Sequence, residues 1–248
     1  VARAYMRAQG RIRPIIAKIE KHEALQDLDT IIAAVDGVMV ARGDLGVDIP
    51  PEKVPTAQRM IIEKANFAGK PVITATQMLK SMTDAPRPTR AEVTDVTNAV
   101  LEGTDAVMLS EESAMGNYPV EAVATMARIV VEAEKGFLRA AWWQRLQQVQ
   151  TADESEALTR AACSLAETIE AKALVIATQT GGTAKLAAKT RPVQPILAGT
   201  TEVDAFRCLS LVWGVRPMMI QRVDLLIDLF AEMHRAAKAT GVVRPGDS

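Results

Sequence analysis

Lys18, Glu20 and Asp44 are the residues whose types and spacing could do chemistry in this chain of 248 residues, in the segments RPIIAKIEKHE and GVMVARGDLGVDIP. Side chains alternate faces along an extended strand, so Lys18 and Glu20, two apart, point the same way. The run GVMVARG predicts a second strand, and Asp44 closes it at its C-terminal end. Parallel α/β barrels carry their chemistry at strand C-termini. Two carboxylates beside a lysine there suit a hard divalent cation and an anionic substrate. The expected occupant is a phosphorylated or carboxylated metabolite with Mg²⁺.

The elements that must position these groups follow from periodicity. Strands are expected over 14 to 20, 37 to 43, 70 to 77 and 104 to 110. Between them, Pro50 and Pro51 open a helix whose face is Val54, Ala57, Ile61, Ala65 and Ala68, stopped by Gly69. A helix near 91 to 102 follows the proline-rich PRPTR, and Pro119 begins another with the face Val123, Ala127 and Val130. Four β/α units amount to half of an eightfold barrel. Residues 136 to 150, with Trp142 and Trp143, show no strand pattern and precede the polar TADESE, so they are expected to link domains. From Leu158 the alternation resumes: a helix facing inward through Leu158, Ala162, Leu165 and Ile169, then strands ALVIA, PILAG and VRPMMI with helices between and after them. That pattern predicts a smaller open α/β sheet over 151 to 248, and the chain ends at RPGDS where a further strand is expected.

Composition bounds the class. With 48% hydrophobic and 24% charged residues the chain can bury one large core or two ordinary ones. A net charge of −1 and 4% aromatics argue against a nucleic-acid surface, which normally carries a basic patch. No apolar run approaches the roughly 20 residues that cross a bilayer. VARAYMRAQGR is basic but lacks the apolar segment of a signal peptide. Cys163 and Cys208 have neither disulfide-framework numbers nor metal-ligand spacing, so reduced core cysteines in a cytoplasmic protein are expected. The methionines, including Met39, Met60, Met108, Met218 and Met219, read as core filling.

AKIEKHE, MVARGDLGVDIP, GKPVITATQMLKSM, PRPTRAEVTDVTNAVLEGTDAVMLSEESAMGNYPVEAV and TQTGGTAKLAAKTRP together resemble pyruvate kinase, in order and spacing, from about residue 10 onward. The resemblance implies the second half of a (β/α)8 TIM-type barrel over 1 to 135, a linker at 136 to 150, and a C-terminal α/β regulatory domain. It implies transfer of a phosphoryl group from phosphoenolpyruvate to ADP, giving pyruvate and ATP, with Mg²⁺ or Mn²⁺ and K⁺. Residue by residue, it makes Lys18 the cation on the transferring phosphoryl group and the enolate oxygen, and Glu20 and Asp44 the metal ligands. The backbone N–H groups of Gly43 and Asp44 would receive the substrate carboxylate, and Thr76 would lie beside the methylene carbon that is protonated. Ser110 and Glu112 would belong to a water network delivering that proton. The family's K⁺ ligands and much of its nucleotide-contacting set fall in segments with no counterpart here, so this chain alone is expected to be inactive. The resemblance further implies a homotetramer, with Arg87 and Arg90 beside one contact helix.

Each residue has a plainer reading. Lys-x-Glu on a strand is commonly a surface ion pair, GDLG a turn, and Thr76 an ordinary buried β-former. His22 reads as a solvent-facing helix start, with a supporting contact to Glu20 as the alternative, and His234 as a helix residue. Trp142 and Trp143 read as packing. Glu111 stands where many family members have glycine, and Ser113 where they have threonine, which adds a carboxylate near the site. The loop Thr178, Gln179, Thr180, Gly181, Gly182, Thr183 leaves a strand and enters a helix, so hydroxyls and helix N-terminal N–H groups converge as phosphate sites require. By resemblance it would hold the phosphate of a sugar-phosphate or AMP effector, although family members commonly carry arginine at Gly182. The plainer reading is a β-to-α turn with Thr183 as N-cap. A second class of function therefore stays open: a non-catalytic chain whose C-terminal domain binds a phosphorylated metabolite.

Overall fold

The computed structural model describes residues 1–151, 153–244 and 246–247, so Ala152 of TADESE and Pro245 and Ser248 of RPGDS lie outside the described residues. The chain divides into two units, Val1–Phe137 and Leu138–Ser248.

The first unit holds α1 (Ala2–Ala8), β1 (Ile16–Ile19), α2 (His22–Gln26), α3 (Leu28–Ala34), β2 (Gly37–Ala41), α4 (Arg42–Asp48), α5 (Val54–Phe67), β3 (Val72–Ala75), α6 (Arg90–Glu102), β4 (Ala106–Met108), α7 (Glu111–Ala114) and α8 (Pro119–Lys135). The strands form one parallel sheet in the order β1-β2-β3-β4. Its register lines up Lys18, Met39, Ile73 and Ala106 across one face. The opposite face, with Val38, Val40, Val72 and Thr74, is fully buried. Alternation along each strand thus separates a helix-covered side from the side that a closed barrel turns inward. Packing above the helix-covered side is by Ile19, Leu28, Ile32, Ile61, Ile62 and Ala65.

Local sequence explains the element ends. Thr89 caps α6 with a reciprocal capping box to Glu92, and Gly103 ends it at φ 101°. Pro119 occupies the first turn of α8, where its missing N–H costs nothing. Two expectations change. GVMVARG is not strand throughout: β2 stops at Ala41 and Asp44 lies in the first turn of α4, where an acidic side chain suits the helix dipole. The face expected for α8 is shifted by one residue. Ala122, Thr125, Met126, Ile129 and Ala133 are buried, while Val123 and Ala127 are exposed.

The second unit holds α9 (Arg139–Gln147), α10 (Glu154–Thr168), β5 (Leu174–Ala177), α11 (Gly182–Lys189), β6 (Ile196–Thr200), α12 (Val203–Leu209), β7 (Val215–Met219) and α13 (Leu226–Ala239). Its three strands are parallel in the order β5-β6-β7. Ile196 and Ala198 pack with α10, α11 and α12, whereas Leu197 packs with Met233, Ala236 and Ala237 of α13, so helices cover both faces. Much of the segment expected as a linker is helix α9, whose Trp142 is buried and donates its indole N–H to the Lys189 carbonyl at 2.9 Å. The expected inward face of α10 is the outward one. Leu158, Leu165 and Ile169 are exposed, and Glu156, Thr159, Cys163 and Ala166 face in. Glu156 tolerates this because Arg160 and Lys189 reach its carboxylate at 2.6 and 2.7 Å. Met218 is buried but Met219 is 43% exposed, so the latter fills no core.

Candidate active site

Lys18 lies at the C-terminal end of β1 and Glu20 immediately after the strand, and Asp44 lies in the first turn of α4 after β2. Lys18 Nζ pairs with Glu20 and with Asp44 Oδ2, the latter at 2.6 Å. One ammonium therefore bridges two carboxylates from neighbouring strand ends. All three side chains keep substantial exposure, as groups that meet a ligand must. The hydrogen bonds to Asp44 and then Glu20 push Lys18 up to about 12, so it is cationic at any working pH. In return, the Lys18 hydrogen bond and charge, followed by a hydrogen bond to Glu20, hold Asp44 below its ordinary value. Among the described residues these oxygens form a hard, anionic, adjacent donor set of the kind that binds Mg²⁺ or Mn²⁺.

Thr76 follows β3 and lies beside the same loop: its Oγ1 accepts from the Gly43 N–H at 2.8 Å and donates to the Ala75 carbonyl at 2.6 Å. Thr76 and Gln77 have φ of 68° and 55°. Left-handed backbone is unusual for non-glycine residues and worst for a β-branched one; each such residue costs on the order of 1–3 kcal/mol and persists only where its surroundings impose it. The Gly43 N–H, expected to meet a substrate carboxylate, is here engaged by Thr76. A Cβ at Gly43 would meet Thr76 Oγ1 at 3.4 Å, an ordinary contact, so the two residues are joined by the hydrogen bond and not by a steric demand for glycine.

Ser110 and Glu112 lie beyond β4. Glu112 is buried, and its two oxygens accept from the Leu79 N–H at 3.0 Å and the Ser110 N–H at 2.8 Å. That carboxylate ties two loops together through both of its oxygens. Glu111 pairs with Lys80, so the additional carboxylate meets a lysine on the neighbouring loop. Sequence reasoning missed both bonds, and it missed Arg42, a buried cation next to the site. A lone arginine ending the otherwise apolar run GVMVA was the available signal.

His22 is half-exposed at the start of α2, with its ring 3.2 Å from Asp48 and 3.3 Å from Glu23. The three side chains are close enough together to share a cation, but Asp48 already accepts the His22 backbone N–H. In the second unit, Gly181 is the N-cap of α11, with φ 86°, and its N–H donates to Thr178 Oγ1 at 3.0 Å. Thr183 lies inside α11 and is not its cap. Thr180, Gly182 and Thr183 are exposed. His234, on α13, is one of the residues lining a mostly apolar cavity of about 420 Å³ beside β5.

Comparison with known proteins identifies the family. A family model described as pyruvate kinase, barrel domain, matches residues 1–123, and one described as pyruvate kinase, alpha/beta domain, matches 156–248. Pyruvate kinase 2 of Synechocystis is 48% identical over 242 residues, covering 97% of this chain and 40% of that protein. Pyruvate kinase of Leishmania mexicana is 47% identical over 247 residues, covering 96% and 49% respectively. A solved pyruvate kinase from Cryptosporidium parvum superposes with a TM-score of 0.90 at 41% identity, covering 94% of this chain and 48% of that one. The chain therefore spans less than half the length of these relatives. With both of its units matched by models of one family, the chain belongs to the pyruvate kinase family.

Proposed function

We propose that the chain supplies the phosphoenolpyruvate-binding half of a phosphotransferase that moves a phosphoryl group from phosphoenolpyruvate to ADP. The observation that carries this reading is Lys18 held between Glu20 and Asp44 at adjacent strand ends. Glu20 and Asp44 would hold Mg²⁺ or Mn²⁺, which when bound offsets negative charge on the phosphoryl oxygens. Lys18 offsets charge on the moving group and on the enolate oxygen left behind, the electrostatic work that dominates phosphoryl transfer. Thr76 places its hydroxyl beside the carbon that gains a proton. Glu112 holds the Ser110 loop against Leu79 and so fixes one wall of the site. Substrate carboxylate would compete with Thr76 for the Gly43 N–H, or bind at Asp44. The nucleotide and K⁺ are assigned no residue here.

The test is steady-state phosphoryl transfer by the complete enzyme carrying these residues. Phosphoenolpyruvate-dependent ATP formation that requires a divalent metal supports the reading, and its absence refutes it. The Thr178–Thr183 loop, where left-handed Gly181 donates its N–H to Thr178 Oγ1 and Thr180 and Thr183 are exposed at the start of α11, supports a second role for the same protein as an effector-phosphate site. Sugar phosphates or AMP should shift half-saturation by phosphoenolpyruvate, and Thr180→Val with Thr183→Val should abolish the shift. Cytoplasmic location and a homotetramer belong to the same proposal. Both cysteines are free, and no helix among the described residues is long and apolar enough to cross a membrane.

A further inference from the structure

Arg42 is 8% exposed and lies immediately before Gly43 and Asp44 in the chain. A guanidinium presents its N–H groups as a rigid planar fork. One edge of this fork faces α6 and α5: Nη1 donates to the Asp95 carboxylate at 2.5 Å and to Gln58 Oε1 at 3.4 Å. The other edge faces β3, where Nη2 donates to the Thr76 carbonyl at 2.7 Å and Nε approaches the Ala75 carbonyl at 3.4 Å. Asp95 is enough to pair a buried charge. The contacts to Ala75 and Thr76 fall instead on the peptide groups that flank the strained residue.

Thr76 and Gln77 are the only described non-glycine residues of the first unit with positive φ. Backbone strain of this kind survives only where neighbouring structure holds it. Two holders are visible, and they are consecutive residues: Arg42 takes the Thr76 carbonyl and Gly43 takes its hydroxyl.

We infer that Arg42 is a positioning residue: anchored by Asp95, its fork clamps the Ala75 and Thr76 carbonyls, holds the Thr76–Gln77 turn left-handed, and thereby aims the Thr76 hydroxyl into the site. The inference rests on the reading of Thr76 as the group beside the carbon that is protonated. Lysine cannot substitute, because a single ammonium on a flexible stem does not span a carboxylate and two carbonyls in one plane.

The test is Arg42→Lys, which keeps the charge, with Asp95→Asn as a second variant in case the first does not fold. Backbone ¹³C shifts of Thr76 and Gln77, measured on the chain itself, report the left-handed conformation without any need for turnover. They should move toward ordinary values in both variants. In the complete enzyme, kcat should fall at least tenfold with KM for phosphoenolpyruvate within threefold, and deuterium exchange into the methyl group of pyruvate should fall in parallel. Adding Gln77→Asn, which tolerates left-handed backbone, should recover several-fold of the lost rate. A folded Arg42→Lys variant with kcat and exchange within twofold of wild type would overturn the inference, as would unchanged Thr76 and Gln77 shifts. If the unaltered enzyme does not turn over phosphoenolpyruvate, the functional reading fails, and the shifts alone decide whether Arg42 holds the turn.

Discussion

Lys18 and Glu20 were legible because a strand has a period of two and charged residues seldom end an apolar run without cause. Asp44 was legible as a residue but not in its setting, since RGDL reads equally as a strand end or a first helical turn. The bond from Gly43 to Thr76 joins β2 to β3, and nothing local in either segment announces it. Glu20→Gln and Asp44→Asn are each expected to raise the Mg²⁺ concentration needed for half-maximal rate, because each removes a charged oxygen from a hard cation's donor set. Metal titrations of rate that superpose on wild type for both variants would remove these residues from the site.

Helices α8 and α10 show why element existence was easier to read than orientation. Each has apolar residues on more than one flank, and the choice of buried flank depends on partners distant in sequence. In α10 the distant partner is Lys189, which together with Arg160 of the same helix lets Glu156 turn inward and leaves Leu158 and Leu165 outside. Loops depend on similar long-range bonds. Glu112→Gln would leave the Leu79 or Ser110 N–H facing an amide donor, and is expected to cost about 1–3 kcal/mol; urea denaturation with an unchanged midpoint would contradict that. In the second unit, Glu232 is held down to about 2 by the Arg235 hydrogen bond first and the Gln221 N–H next. A depressed carboxylate adds stability that is complete above its ordinary value and is lost as pH falls toward its folded value. Thermal midpoints should therefore drop between pH about 4.5 and about 2, and Glu232→Gln should flatten that part of the curve. A parallel decline in the variant would contradict the assignment.

On the scale of the whole molecule, the half-barrel and the smaller sheet were legible from the alternation of strands and helices, and the structure supplies the register that brings Lys18, Asp44 and Thr76 together. The four-stranded sheet is open, with β1 and β4 at its edges, whereas the barrel architecture of the family closes on eight strands. The chain of 248 residues by itself is accordingly expected to turn over no phosphoenolpyruvate at ordinary enzyme rates; a purified 248-mer that did so would contradict that expectation. The role proposed for the ammonium held between Glu20 and Asp44 is to stabilise phosphoryl transfer. It is tested most directly by kcat of Lys18→Met against wild type in the complete enzyme at saturating phosphoenolpyruvate, ADP and Mg²⁺. Loss of a cation that acts in the transition state is typically worth several kcal/mol, so the variant should retain well under a tenth of wild-type kcat; a folded variant that keeps more than a tenth contradicts the claim.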